Sequence, residues 1–508
     1  MIRTLSTAAT LSLCSLTAAD QTVGVSVNEP EAMEGYTLFA PSGSTSTYLI
    51  DNSGNLVHEW VSTDRPGQSV YLLEDGDLMR TGSPDSIPYF NNGGAGGLTE
   101  RIEWDGTVTW SYLHASADER QHHDIAVLPN GNVLALPWRR HFRSEAISAG
   151  RDPAWLGSRL WSDSIVEIEP SGSSGGTIVW EWHAWDHLVQ DHDATMPAYG
   201  DPADNPGRID INWPLKDSAE DWLHLNAIDY NIELDQIVVS CPRFSEIWII
   251  DHATTTEEAA GTAGDPMYRW GNPAAYGRGD TADRQLFFPH DAKWITDDCP
   301  GAADITVFNN GLGRPDGLYS SIEQFTPPLL GDDTYQLDAT DPYGPLLPNW
   351  SWAADPVTSM YSSYISGAQR LANGNTLICV GAAGEFLEVS PALGEDIAWR
   401  YINPVTGSGI LEQGEEVPWN QNNVFRATRY AADYIGLAGQ DLTSGDPIEV
   451  DPCPADISDD DGVVGVSDLL LLLSGWGTDA AGAELAEPQD IVDTDDLLEL
   501  IARFGPCE

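Results

Sequence analysis

The chain has 508 residues, with 79 Asp and Glu against 23 Lys and Arg, a formal net charge of −56. Such a surface repels phosphate backbones and anionic lipid, which argues against a nucleic-acid partner. The length predicts one large core plus a small appendage, and 48 Gly, 33 Pro and 19 Trp with few long apolar helical patterns before residue 450 predict an all-β core of short strands.

The first predicted element is a signal peptide over residues 1–19. Arg3 precedes an apolar stretch from Leu5 to Leu16, and Thr17-Ala18-Ala19 supplies the small residues of a cleavage site. Export to the periplasm, the medium or the cell surface follows. No later run is apolar for long enough to span a bilayer, so no membrane span is expected.

From residue 30 to 440 the sequence repeats. A strand ending in tryptophan recurs six times, at Trp60, Trp110, Trp180-Glu181-Trp182, Trp270, Trp350-Ser351-Trp352 and Trp399, at spacings of 49 to 90 residues. After each comes a period-two apolar strand with a turn, clearest in "HDIAVLPNGNVL" (123–134) and "SGAQRLANGNTL" (366–377). Period-two strands broken by Asn-Gly or Asp-Gly read as hairpins, and this period fits the four-stranded blades of a six-bladed β-propeller.

In a propeller, equivalent positions of successive blades face one axis. The residues heading the second strands are Gln68, His123, His224, His290, Ser366 and Arg426, so three of the chain's 11 histidines fall in one ring. Asn226 lies two residues after His224, on the same strand face, and Arg243 follows on the next strand. Imidazoles, an amide, a hydroxyl and a guanidinium, with no carboxylate aligned among them, suit a tetrahedral oxyanion better than a divalent cation. A metal site of three histidines, and histidines that merely bridge blades, are the competing readings.

Seven runs resemble the bacterial arylsulfate sulfotransferase family: "HHDIAVLPNGN" (122–132), "DWLHLNAIDYN" (221–231), "CPRFSEIWIID" (241–251), "FFPHDAKWI" (287–295), "ITVFNNG" (305–311), "SGAQRLANGNTLI" (366–378) and "VFRATRYAADYIGL" (424–437). The resemblance implies transfer of a sulfuryl group from a phenolic sulfate ester to a phenolic acceptor. It implies no nucleotide sulfate donor, no catalytic cofactor, and a covalent sulfohistidine. His290 would be the nucleophile, and His224, Asn226 and Arg243 would hold the sulfuryl oxygens. His123 would act as general acid and base or as a further oxygen ligand, with His122 competing for that role. Ser366, Arg426 and Gln68 would complete the substrate-binding set. The alternative is a non-catalytic secreted propeller that binds a ligand and is anchored by its tail.

Residues 441–452 read as a linker. Beyond them, residues 453–508 run from Cys453 to Cys507 and hold two half-repeats offset by 28, "VVGVSDLLLLLSGWG" (463–477) and "IVDTDDLLELIARFG" (491–505). Each half resembles a dockerin segment, an acidic loop feeding a helix. In the first, Asp459, Asp461, Gly462 and Asp468 fit a calcium loop, with Asp456 as opening ligand if one residue is looped out. The second offers Glu487, Asp493 and Asp496. The expectation is a small helical module that takes Ca²⁺, docks to a scaffold or surface partner, and is stapled by a Cys453–Cys507 disulfide. The competing reading is a plain acidic helical hairpin. Five cysteines remain after residue 19, and Cys379 reads as a buried strand residue.

Overall fold

The computed structural model describes residues 21–508 apart from 89, 450–454, 456, 459–462, 479–484, 486–490 and 507–508. The expected signal peptide, the Cys453–Cys507 pair, Asp456, Asp459, Asp461, Gly462 and Glu487 lie outside the described residues. No described helix is long and apolar enough to cross a membrane. Two compact units are present, one of Gly24–Gly409 with Pro418–Ile448, the other of Glu449–Glu508 with Ile410–Val417 and the residues up to Val23.

The larger unit is a six-bladed β-propeller. Blade 1 combines Val424–Ala431, Gly35–Pro41, Ser46–Ile50 and Leu56–Val61. Blades 2 to 5 begin with inner strands Pro66–Leu72, Glu119–Val127, Ala227–Asn231 and His290–Trp294. Blade 6 runs from Gly367–Arg370 out to Asp396–Ile402, where Gly24–Asn28 adds a fifth strand. Both ends of the unit therefore cross one seam, with Val424–Ala431 pairing to Gly35–Pro41 and Gly24–Asn28 to Asp396–Ile402.

The expected hairpins form, and for the expected reason. In blades 2, 3 and 6 the turn places Gly76, Gly131 and Gly374 at φ +92, +85 and +90, a conformation open to glycine and costly to most side chains. Each turn closes with the same bond, from Leu73 N to Asp77 O, Leu128 N to Asn132 O and Leu371 N to Asn375 O.

The recurring tryptophans sit on the fourth strand of each blade, and their indole N–H groups explain the repeat. Trp60 donates to Glu103 O at 3.2 Å, Trp110 to Gly175 O at 2.8 Å, Trp182 to Gly264 O at 2.7 Å and Trp270 to Pro345 O at 2.7 Å. Trp352 donates to Glu395 O at 3.1 Å, and Trp399 closes the circle on Asn52 O at 2.7 Å. Every blade is thus bonded to a backbone carbonyl of the next. An apolar ring fills the gap between sheets while its one polar atom stays paired.

All six inner strands line an axial cavity of about 680 Å³, bordered by Tyr71, Ala126, Asp229, Lys293, Gln369 and Thr428 among others. The ring residues lie at the opposite, N-terminal ends of the same strands.

In the smaller unit, the helices Val466–Ser474 and Thr494–Ala502 pack Val464, Leu472, Val492 and Leu500 into one core with Ala455. Asp468 accepts Ile457 N at 2.8 Å, Ser458 N at 3.0 Å and Gly465 N at 2.7 Å, while Asp496 accepts Leu485 N at 2.6 Å and Asp493 N at 2.7 Å. The two halves are therefore related in hydrogen bonding as well as in sequence. Asp468, expected to close a calcium loop, here holds backbone N–H groups of that loop and of the helix start. Leu470, Leu473 and Trp476 are exposed, as are their counterparts Leu498, Ile501 and Phe504. Cys241, Cys299 and Cys379 are buried free thiols.

Candidate active site

Three ring histidines, His123, His224 and His290, gather at one end of the axis. The backbone there departs from regular strand: φ is positive at Gln68, His123, His224, Asp291 and Ser366, and at the β-branched Ile365. The inner strands of blades 2, 3 and 5 also carry register shifts at these positions. Strain and bulges of this kind re-aim side chains.

His290 is the most constrained. Its Nδ1 lies 2.7 Å from Asn310 Oδ1, and the orientation of that amide is set because Asn310 Nδ2 donates to Ser362 O at 2.7 Å and to Ile365 O at 2.9 Å. Oδ1 can only accept, so Nδ1 of His290 carries the proton and Nε2 holds the lone pair. The backbone N–H of Ile365 donates to that Nε2 at 3.1 Å. Burial pushes the imidazole down to about 3, so it is neutral at ordinary pH.

His224 is the opposite case. Its Nδ1 meets Asp221 Oδ2 at 2.5 Å, and Asp221 also accepts Asn92 Nδ2 at 2.8 Å. Burial opposes a charge on His224, but Asp221, with Asp163 behind it, raises the imidazole above its ordinary value. Its ring stands edge-on to His123, centroids 4.5 Å apart.

His123 contacts His122 through an Nδ1 to Nδ1 approach of 2.8 Å. Its far edge lies against Gly94, where an added Cβ would come within 2.0 to 2.4 Å of the ring. Burial holds His122 and His123 well below the ordinary imidazole value.

The other expected residues divide. Arg243 lies close to this group but is ion-paired with Asp217. Asn226 turns its Nδ2 to Pro289 O at 3.1 Å, leaving its buried Oδ1 without a partner. Ser366 keeps its hydroxyl inside blade 6, donating to Ser362 Oγ at 2.8 Å and accepting Gly381 N at 2.9 Å. Gln68 is partly exposed. Arg426 crosses the axis: Nε is 2.7 Å from Asp291 Oδ1, and Nη1 donates to Asp124 Oδ2 at 2.9 Å and Tyr71 Oη at 2.5 Å. One guanidinium thereby joins blades 1, 2, 3 and 5 between the histidines and the axial cavity.

The expectation of a ring free of carboxylates is corrected. Asp221 holds His224, Asp163 lies 3.0 Å from His122 Nε2, and Asp124 and Asp291 neutralise Arg426. Two of these, Asp124 and Asp291, follow ring histidines directly in "HD". Asp163 comes from a neighbouring strand and Asp221 from an insertion. Asn310 also escaped the sequence reading, although its only signal, the doubled asparagine of "FNNG", lay in view. No group of three or more His, Cys, Asp or Glu among the described residues is placed to hold a metal ion.

Fold and cluster together define a six-bladed β-propeller with a histidine group at the end of its axis, in which burial lowers His122, His123 and His290 while Asp221 raises His224. The family model for arylsulfotransferase (ASST) matches residues 24–402, and the chain belongs to the arylsulfotransferase family. No curated protein matches it. Among solved structures, a protein of unknown function from Bacteroides caccae is 11% identical, covering 78% of this chain and 99% of its own, with TM-score 0.41. A catalytically inactive virginiamycin B lyase from Staphylococcus aureus with quinupristin is 10% identical over 74% of this chain and 87% of its own, with TM-score 0.34. Apo AztD from Citrobacter koseri is 8% identical over 79% and 99%, with TM-score 0.33. Likenesses at this level carry no argument about this chain.

Proposed function

We propose that the protein moves a sulfuryl group from a phenolic sulfate ester to a phenolic acceptor through a sulfohistidine at His290, with no nucleotide sulfate donor. The observation that carries this reading is the tautomer of His290. A neutral imidazole with its proton held at Nδ1 by Asn310 offers Nε2 as a nucleophile at neutral pH. Nε2 attacks sulfur, the sulfur–oxygen ester bond breaks, and the phenolate leaves. The ring then gains positive character, and its Nδ1–H bond to Asn310 strengthens. In the second half a phenol oxygen attacks sulfur and Nε2 is released.

Charge builds on the sulfuryl oxygens during each displacement, and fixed donors supply most of the stabilisation. His224, whose imidazole Asp221 raises above its ordinary value, is placed as a donor. The Ile365 N–H that now bonds Nε2 lies where it can turn to a sulfuryl oxygen, and Arg243 adds charge nearby. His123 exchanges a proton with the phenol oxygen.

The reading extends to the whole chain. Residues 1–19 direct export, and the smaller unit docks to a scaffold or surface through the duplicated apolar residues Leu470 with Leu498, Leu473 with Ile501 and Trp476 with Phe504. Ca²⁺ would be held by the acidic loops of that unit.

The test is release of a chromogenic phenol from its sulfate ester in EDTA, with phenolic acceptor added or withheld. Acceptor-stimulated release is expected in wild type and lost in His290→Ala. No release across several donors would instead favour a propeller that only binds its ligand.

A further inference from the structure

We infer that the histidine site accepts monoanionic esters and rejects dianionic ones, and that Asp217, through its ion pair with Arg243, is the residue that enforces this. The inference rests on the sulfuryl-transfer reading and narrows its substrate class. An aryl sulfate carries one negative charge, whereas an aryl phosphate of the same shape carries close to two at neutral pH, its second pKa being about 6.

Two carboxylates reach the site from one irregular segment, residues 211–226, between the strands Ile209–Asp210 and Ala227–Asn231. Arg151, 2% exposed, pins that segment by donating to Ile211 O and, at 2.6 Å, to Asp217 O. Asn212 ties it to Asp152 N at 2.7 Å and to Gly150 O at 3.1 Å, and Glu220 O accepts Trp161 N at 2.6 Å. Held in this way, the segment sets Asp217 on Arg243 and Asp221 on His224, the latter at 2.5 Å.

The charges then cancel. Arg243 and Asp217 sum to zero, while His224 and Asp221 sum to zero with one proton between them and are negative with none. At the axis Arg426 and Lys293 are matched by Asp124 and Asp291, in ion pairs of 2.9, 2.7 and 3.3 Å. Burial holds His122, His123 and His290 below the ordinary imidazole value, and Asp163 beside His122 brings no positive charge. Arg151 has Asp210 and Asp152 as well as Asp217 for counter-charges, and Lys216 is exposed, where salt screens it. Arg120 and Arg284 direct their nitrogens elsewhere, to Gly96 O at 2.8 Å and Asn91 Oδ1 at 2.9 Å, and to Leu286 O at 2.7 Å.

Donors nevertheless remain. Arg243 gives Nη2 to Asp217 and keeps Nε without a hydrogen-bond partner among the described residues, and the Ile365 N–H stands at Nε2 of His290. The site therefore offers hydrogen bonds to ester oxygens but no surplus cation for a second negative charge, which the two carboxylates repel. Selectivity of this kind comes from a repulsive element built beside the attractive one.

The test is calorimetric binding of nitrophenyl sulfate and nitrophenyl phosphate in EDTA at about pH 8, where the phosphate is a dianion. His290→Ala is the background, because it blocks turnover and removes a neutral ring, leaving the charges as they were. The sulfate should bind more tightly by on the order of 10². Asp217→Asn should narrow that ratio on the order of 10-fold by raising the affinity for phosphate, and Asp217→Glu, which keeps the charge, should restore it. Inhibition of wild-type transfer by nitrophenyl phosphate reads the same preference without the background change. A starting ratio near one, binding of neither ester, or a ratio that Asp217→Asn leaves alone because both affinities fall together, overturns the inference. Wild-type protein that transfers nothing while the ratio behaves as expected sinks the sulfuryl-transfer reading and leaves the charge selectivity standing.

Discussion

At the site, single atoms decide which nitrogen reacts. Asn310→Ala removes the acceptor that keeps the His290 proton on Nδ1, so the ring can place it on Nε2 and lose the lone pair; transfer should drop on the order of 10² to 10³, with nitrogen NMR showing the tautomers mixed. Folding stability carries the same signature. His290 titrates at about 3 in the folded chain and near the ordinary value of about 6.5 when unfolded. Its contribution to stability is therefore complete above that upper value and lost as pH falls toward the lower one. Asp229, raised to about 6 by burial, has the opposite sign, so the clean measurement is a difference. Between pH 6.5 and 4, wild type should lose more urea resistance than His290→Gln. The histidines themselves were legible from their place in the repeat. The groups that define their protonation were not, because Asn310, Asp163 and Asp221 stand at positions the repeat does not align and reach the cluster only through folding.

Among the elements, the tryptophan strands show what a repeat in sequence records. The recurrence of tryptophan was plain, but its cause, an indole N–H aimed at the neighbouring blade, required the sheets to be side by side. Trp399 is the informative case because its bond to Asn52 O spans the seam. Trp399→Phe keeps most of the apolar contact and should cost about 1 kcal/mol. Trp399→Ala opens a cavity and should cost about 3 to 5 kcal/mol, both read from denaturant midpoints. The turns in "EDGD", "PNGN" and "ANGN" were legible down to the glycine because a positive φ is a local demand. The position of Arg426 at the head of a strand was legible, but the two carboxylates paired with it come from blades far away in sequence.

For the molecule as a whole, that arginine ties residues of four blades together at the axis. Asp291 keeps Lys293 at 3.3 Å, but Arg426→Met leaves the buried Asp124 without its cation, and unfolding should become easier by about 3 to 5 kcal/mol. Combining it with Asp124→Asn should restore part of the loss, since the uncompensated charge goes with it; urea unfolding of the single and double variants checks this. The six-bladed architecture was readable because each repeat is one self-contained hairpin pair, while the seam was not, since it joins segments at opposite ends of the propeller. The seam also sets a timetable. A ribosome releases the three outer strands of blade 1 by residue 61 and their inner strand only after residue 424. Until then the sheet edge at Gly35–Pro41 lacks its inner strand and Asp124 lacks the guanidinium that pairs with it at the axis. The axis is therefore completed in one event, late in synthesis, however many blades the nascent chain has already built.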